Sequence, residues 1–183
     1  MQAKDIEKYL ARLGQELANL GMQEPVRVLM IGGAYMLLLA KAPRSTDDVD
    51  ILWLEEEDAL QRAIYTLRDG VQIVADKNAL EPDWFNYMTH LLMFDLVIIP
   101  RGKLWRRYGP LHIYIPPKEY ILALKILAGR EKDIGDCEIL LQQIKITTRE
   151  QAQKLLDRYI LPITQQQNAN EIDKSLNELF GKG

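Results

Sequence analysis

The stretch LMIGGAYMLLLAKAPRSTDDVDILW, residues 29–53, limits what this chain can fold into more than any other. An apolar run breaks at Gly32-Gly33, resumes as a helix-forming segment, and ends in Asp47, Asp48 and Asp50 directly ahead of a second apolar run. A short, almost wholly apolar run closed by Gly-Gly suits a buried strand that turns sharply into a helix. RVLMI (27–31) is therefore predicted as the first strand, AYMLLLAK as the helix after it, and VDILWL (49–54) as the second strand. Strand side chains alternate faces, so Asp48 and Asp50 point the same way, about 6.6 Å apart at ~3.3 Å per residue, while Val49 and Ile51 face the core. Two carboxylates on one face repel each other unless a cation lies between them. A hard divalent ion such as Mg²⁺ meets that need, because it favours carboxylate oxygens combined with substrate phosphates.

Elsewhere the pattern alternates strands and helices, then turns wholly helical. Ile6, Tyr9, Leu10, Leu13, Leu17 and Leu20 recur at three- and four-residue spacings, predicting an amphipathic helix over 5–20 with Asp5 as its cap. EEEDALQRAIYTLRD (55–69) reads as an acid-led helix, VQIV (71–74) as a short strand, and KNALEPDWFNYMTH as less regular chain. LLMFDLVIIP (91–100) is predicted as a continuous apolar strand carrying one acid, Asp95, and LHIYIP (111–116) as a shorter alternating strand. Four helices follow, with QQQNAN (165–170) as a loop before a last helix that is loosely held or meets a partner. The fold class is thus α/β (α+β): a small mixed sheet flanked by helices over 1–116, and a helical region over 117–183 packed on it as one compact unit.

A third acid in a strand that should be buried is costly if unpaired. If the strand of Asp95 lies beside that of Asp48 and Asp50, the three carboxylates converge and suit two metal ions roughly 4 Å apart for in-line phosphoryl chemistry. Gly32 and Gly33 fit the same chemistry, since a Gly-Gly turn lets backbone N–H groups approach a phosphate.

These residues resemble the nucleotidyltransferases related to DNA polymerase beta, whose signature is a Gly-Gly or Gly-Ser turn, then Asp-hydrophobic-Asp/Glu, then a third acid on a later strand. Arg44-Ser-Thr46-Asp-Asp48-Val-Asp50 is similar to the Arg-x-Ser/Thr-x-Asp-hydrophobic-Asp version of the AbiEii-type group and small families allied to it. Ala123-Leu-Lys125, followed by Arg130-Glu-Lys132-Asp133-Ile-Gly-Asp136, is similar to a helical segment that group carries after the catalytic strands. The resemblance implies that Asp48 and Asp50 bind both metals and that Asp95 completes one site and helps deprotonate the attacking hydroxyl. It implies too that Gly32 and Gly33, with Arg44 and Thr46, hold the nucleoside triphosphate, and that Lys125 faces the phosphates or the leaving pyrophosphate. The implied activity is transfer of a nucleoside monophosphate from an NTP to an acceptor hydroxyl, on a tRNA 3′ end or a partner protein, often within a toxin–antitoxin or defence module.

Several residues carry a second reading. Lys125 sits among Leu124, Ile126 and Leu127, where an ammonium commonly snorkels. Asp133 and Asp136, three apart on one helical face, suit pairing with Arg130, Lys132 or Lys118. RGKLWRRYG (101–109) joins Arg101, Lys103, Arg106 and Arg107 to Trp105 and Tyr108, a mix fit for phosphates and stacked bases, although a solvated loop is the commoner meaning of such a run. A net charge of -3 argues against a protein that grips nucleic acid with its whole surface. The lone Cys137 excludes an internal disulfide and reads as an inert helix position. No apolar stretch reaches about 18 residues and no cleavage pattern is visible, so a cytoplasmic, non-membrane protein is expected, with oligomers allowed. A catalytically inactive module of the same fold, binding a partner protein through its C-terminal helices, is the alternative from another function class.

Overall fold

A computed structural model describes residues 1–43, 45–54 and 57–181. The chain divides into two compact units: Met1–Leu91 with Arg101–Pro116, and Leu92–Pro100 with Pro117–Gly183. Among the described residues there are nine α-helices and five strands, a mixed α+β structure. No helix among them is long and apolar enough to cross a membrane.

The first unit is built on a mixed sheet. Its strands are β1 (Val26–Met30), β2 (Val49–Trp53), β3 (Phe85–Asn86), β4 (Lys103–Tyr108) and β5 (Leu111–Ile115), in the order β3-β2-β1-β5-β4. β1 runs antiparallel to β2 and parallel to β5, β3 runs parallel to β2, and β4 closes the far edge antiparallel to β5. One face, with Val26, Val28 and Met30 from β1, Val49, Ile51 and Trp53 from β2, and Leu111 and Ile113 from β5, packs into the core. Helices α1 (Ala3–Asn19) and α3 (Glu57–Asn78) supply the other half of that core.

α1 forms as its spacing predicts, burying Ile6, Leu10, Leu13 and Leu17 completely. Each such side chain contributes about 1.5–3 kcal/mol relative to an exposed one. Asp5 is not the cap residue but its partner: Gln2 is the cap, and its N–H donates to Oδ2 of Asp5 at 2.9 Å. The helix lies so close to β4 that a β-carbon on Gly14 would fall 2.0 Å from the carbonyl oxygen of Tyr108.

Three expectations for this unit fail for identifiable reasons. VQIV is not a strand; it belongs to α3, where Leu67, Val71, Val74 and Ala75 repeat at helical spacing and are buried. KLWRRY is not a loop but β4, an edge strand whose charged side chains face outward while its backbone pairs with β5. The helix after β1, α2 (Gly32–Leu38), starts at the glycines and stops three residues earlier than expected.

The second unit is helical around α5 (Lys118–Ala128), whose residues from Tyr120 to Leu127 are all buried. A helix apolar on every side must be central, and α6 (Ile134–Ile144), α7 (Arg149–Tyr159) and α9 (Ala169–Phe180) pack against it. Tyr120 and Tyr159 meet edge to face at 5.3 Å. The polar run 165–170 is helical rather than a loop, forming the end of α8 (Pro162–Gln167) and the start of α9. Nor is α9 loosely held: Ile172 and Leu176 are buried, and Arg149 on α7 pairs with Asp173 at 2.7 Å and donates to Asn177 at 2.6 Å.

Candidate active site

Asp50 lies in β2, and Asp48 immediately precedes the strand. Val49 and Ile51 are fully buried, whereas Asp48 and Asp50 are half-buried. The turn before β2 is tied by Thr46, whose hydroxyl lies 3.1 Å from Oδ1 and 3.2 Å from the carbonyl oxygen of Asp48.

Asp50 is held from three directions. Its carbonyl accepts the N–H of Ile31 at 2.9 Å, fixing it beside the end of β1. Its Oδ1 accepts hydrogen bonds from Nδ2 of Asn86 and from the hydroxyl of Thr89, both at 2.9 Å. Asn86 is its register partner on β3, and a carboxylate, being only an acceptor, obliges that amide to present its NH₂. Its Oδ2 faces the Gly-Gly turn. Gly32 has φ +64°, a left-handed conformation that glycine adopts without steric cost, and a β-carbon there would sit 2.3 Å from Oδ2. Only a residue without a side chain lets turn and carboxylate meet this closely. Gly33 lies in the first turn of α2, half-buried.

Thr89 opens a short helix, α4 (Thr89–Met93), and the next residue secures it. His90 Nδ1 accepts the backbone N–H of Trp53 at 3.1 Å, and burial pushes the pKa of the imidazole down.

The strand that was to carry Asp95 beside β2 does not form. Leu91–Met93 continue α4, residues 94–96 form a turn, and Asp95 is exposed on it. The chain after it pairs with the helical unit: Val97 bridges Ile160, Ile98 N–H donates to Tyr159 at 2.8 Å, and Leu161 N–H donates to Leu96 at 3.2 Å. Apolar composition without periodicity suggested a strand, and pairing with 159–161 decided otherwise. The residue beside Asp50 on the neighbouring strand is Asn86, not an acid.

Lys125 is 5% exposed, with Nζ 2.6 Å from Oδ1 of Asp133 and 2.7 Å from Oδ2 of Asp136. Arg130 Nε completes the cluster at 2.5 Å from Asp133. Burial alone would push the Asp133 carboxyl up, but Lys125 and Arg130 outweigh it and hold the pKa below its ordinary value. Arg44 lies outside the described residues. The basic run 101–109 is divided by a bulge between Leu104 and Arg106, which sets Arg106 opposite Ile113 and Arg107 opposite His112. Successive strand positions face opposite ways, so these two arginines do not share a face. Lys103, Arg106 and Arg107 are exposed, as is Arg101 just before the strand, and Arg106 stacks over Trp105 at 5.1 Å.

The donors of this site suit Mg²⁺. Among the described residues no group of three or more His, Cys, Asp or Glu is gathered closely enough to hold a metal. Mg²⁺ does not require one, since it is commonly bound through one or two carboxylates plus substrate phosphates and water. The amide and hydroxyl on Oδ1 of Asp50 orient that oxygen.

The family model described as "Nucleotidyltransferase of unknown function (DUF6036)" matches residues 8–178. The chain belongs to this nucleotidyltransferase family. The match takes in the Gly-Gly turn, Asp48, Asp50 and the Asn86 to Thr89 segment of this DUF6036 nucleotidyltransferase. No curated protein and no solved structure matches it. Asn86, Thr89 and His90 escaped the sequence reading, because they fall in an aperiodic stretch and none belongs to a recognisable ligand spacing.

Proposed function

We propose that this DUF6036 protein is a Mg²⁺-dependent nucleotidyltransferase whose centre is Asp48, Asp50 and the Gly32-Gly33 turn. The observation that carries the reading is the contact of Gly32 with Oδ2 of Asp50. It brings backbone able to approach a phosphate to a carboxylate able to hold a metal, within a chain of nucleotidyltransferase family. The acceptor hydroxyl oxygen bonds to the α-phosphorus of an NTP, the bond from that phosphorus to the bridging oxygen breaks, and pyrophosphate leaves with the electron pair. The hydroxyl proton passes to solvent. Asp48 and Asp50 hold the cation, Thr46 steadies the turn of Asp48, and the glycine turn seats the phosphates. Asp48 and Asp50 would hold Mg²⁺, which would supply the positive charge that offsets what grows on the leaving group. A tRNA end or a partner protein is the acceptor class this reading carries, within the toxin–antitoxin or defence setting of AbiEii-type enzymes.

Calorimetric titration with a nonhydrolysable NTP, with Mg²⁺ and with EDTA, tests it. The expected result is binding that needs metal and is lost in Asp48→Asn/Asp50→Asn. A folded wild-type protein that binds no NTP would overturn the assignment.

A further inference from the structure

The register of the sheet sorts the basic residues of 101–109 and joins one of them to distant neighbours. Arg107 on β4 lies opposite His112 on β5, and His112 lies opposite Arg27 on β1. Residues in register point to the same side of a sheet, and here it is the side away from Val26, Val28, Leu111 and Ile113, which enter the core. Arg27, His112 and Arg107 thus form a row across three strands, with Tyr114 two residues past His112 on the same side. Lys103 and Arg106, opposite Ile115 and Ile113, belong to the other side. The chain leading into β4 adds a further cation to the row's side. Gly102 has φ +68°, and a β-carbon there would fall 2.4 Å from Cδ1 of Leu29, so the lack of a side chain lets this segment lie against the sheet. Arg101 then lines a cavity of about 450 Å³ with Arg27, Leu54 and Tyr114. Arg101 and Arg107 are exposed, and neither makes an ion pair or a side-chain hydrogen bond among the described residues. Leu29 is in register with Leu52, two residues past Asp50, so Asp50 belongs to this side too, and Leu54 at the cavity lies about 13 Å along the chain from it at ~3.3 Å per residue.

We propose that this side of the sheet binds a single-stranded nucleic acid, the acceptor of the transfer, with phosphates against Arg101 and Arg107 and a base stacked on Tyr114. A guanidinium matches a phosphate with paired hydrogen bonds, and an aromatic ring takes the face of any base. That the bound strand is the acceptor rests on the nucleotidyltransferase reading; the binding itself does not.

The probe is a short, fluorescently labelled single-stranded RNA of mixed sequence, its anisotropy followed as full-length protein is added at several salt concentrations. The wild type should bind at low salt, with log affinity falling linearly in log salt. Arg101→Ala and Arg107→Ala should each reduce that slope by about 0.7, whereas Arg106→Ala, on the other side of the sheet, should leave slope and affinity unchanged. Tyr114→Leu should weaken binding roughly fivefold or more with the slope kept, and Tyr114→Phe, which keeps the ring, should restore it. Asp48→Asn/Asp50→Asn should lose the NTP and retain the RNA. No RNA bound by folded wild type, equal losses in Arg106→Ala and Arg107→Ala, or displacement of the RNA by a polyglutamate peptide of the same charge overturns the nucleic-acid face and leaves NTP binding standing. RNA bound by a protein that binds no NTP overturns the transferase reading and leaves the face.

Discussion

Gly32 and Asp50 are so close that a β-carbon on the glycine would fall 2.3 Å from Oδ2 of the aspartate. Gly32→Ala must therefore both hold a left-handed conformation, which costs about 1–3 kcal/mol for a residue with a side chain, and displace the carboxylate. Nucleotide affinity should fall at least tenfold, by the same titration that tests the wild type, with a lower midpoint of thermal unfolding. Unchanged affinity would show that the turn does not seat the triphosphate.

His90 makes the docking of α4 sensitive to pH. Burial holds its pKa below the ordinary 6.5, and Nδ1 must stay unprotonated to accept from Trp53. Its contribution to stability is full above 6.5 and is lost as the pH falls from there through the lower folded value. Exchange of the Trp53 amide hydrogen should accordingly lose protection as the pH falls below 6.5. Protection that stays flat down to pH 5 would count against the bond.

Lys125 holds two carboxylates apart in the interior of the helical unit. Lys125→Met keeps much of the stem but strands both charges, a change that typically costs about 3–5 kcal/mol. Denaturant melts should show it. The depressed carboxyl of Asp133 stabilises the fold fully above its ordinary value of 3.8, and that contribution is lost as the pH drops through its lower folded value. Asp133→Asn should therefore flatten the acid limb of the stability profile while lowering its plateau.

Cys137 is 1% exposed and burial pushes its thiol up to about 12. Native protein at pH 8 should resist iodoacetamide for hours and react promptly in denaturant, as mass spectrometry would show. Fast labelling of folded protein would place the thiol elsewhere.

The parts of this molecule that were legible in its sequence are those where one local pattern outweighs the rest. The α1 spacing, the apolar β1 run ending at glycine, the β2 strand and the α5 helix each announce themselves within a dozen residues. Residues 91–100 do not, because an apolar decapeptide is equally content in a helix, a turn or a bridge, and the segment it bridges, around Ile160, lies about sixty residues away. β4 was hidden by its charges, which an edge strand carries at no cost on its open side. Asn86 and Thr89 became visible only through the register that sets them against Asp50.

The position of β1 has a consequence for how the protein is made. One of its edges pairs with β2, which follows after a single short helix, but the other waits for β5, about eighty residues further along the chain. At synthesis rates of about 5–20 residues per second, that edge stays open for roughly 4–16 s on the ribosome. A nascent chain shorter than about 115 residues thus carries an apolar strand with unsatisfied backbone, a template for misplaced pairing. Expression yield should depend on chaperones that act during translation rather than after release.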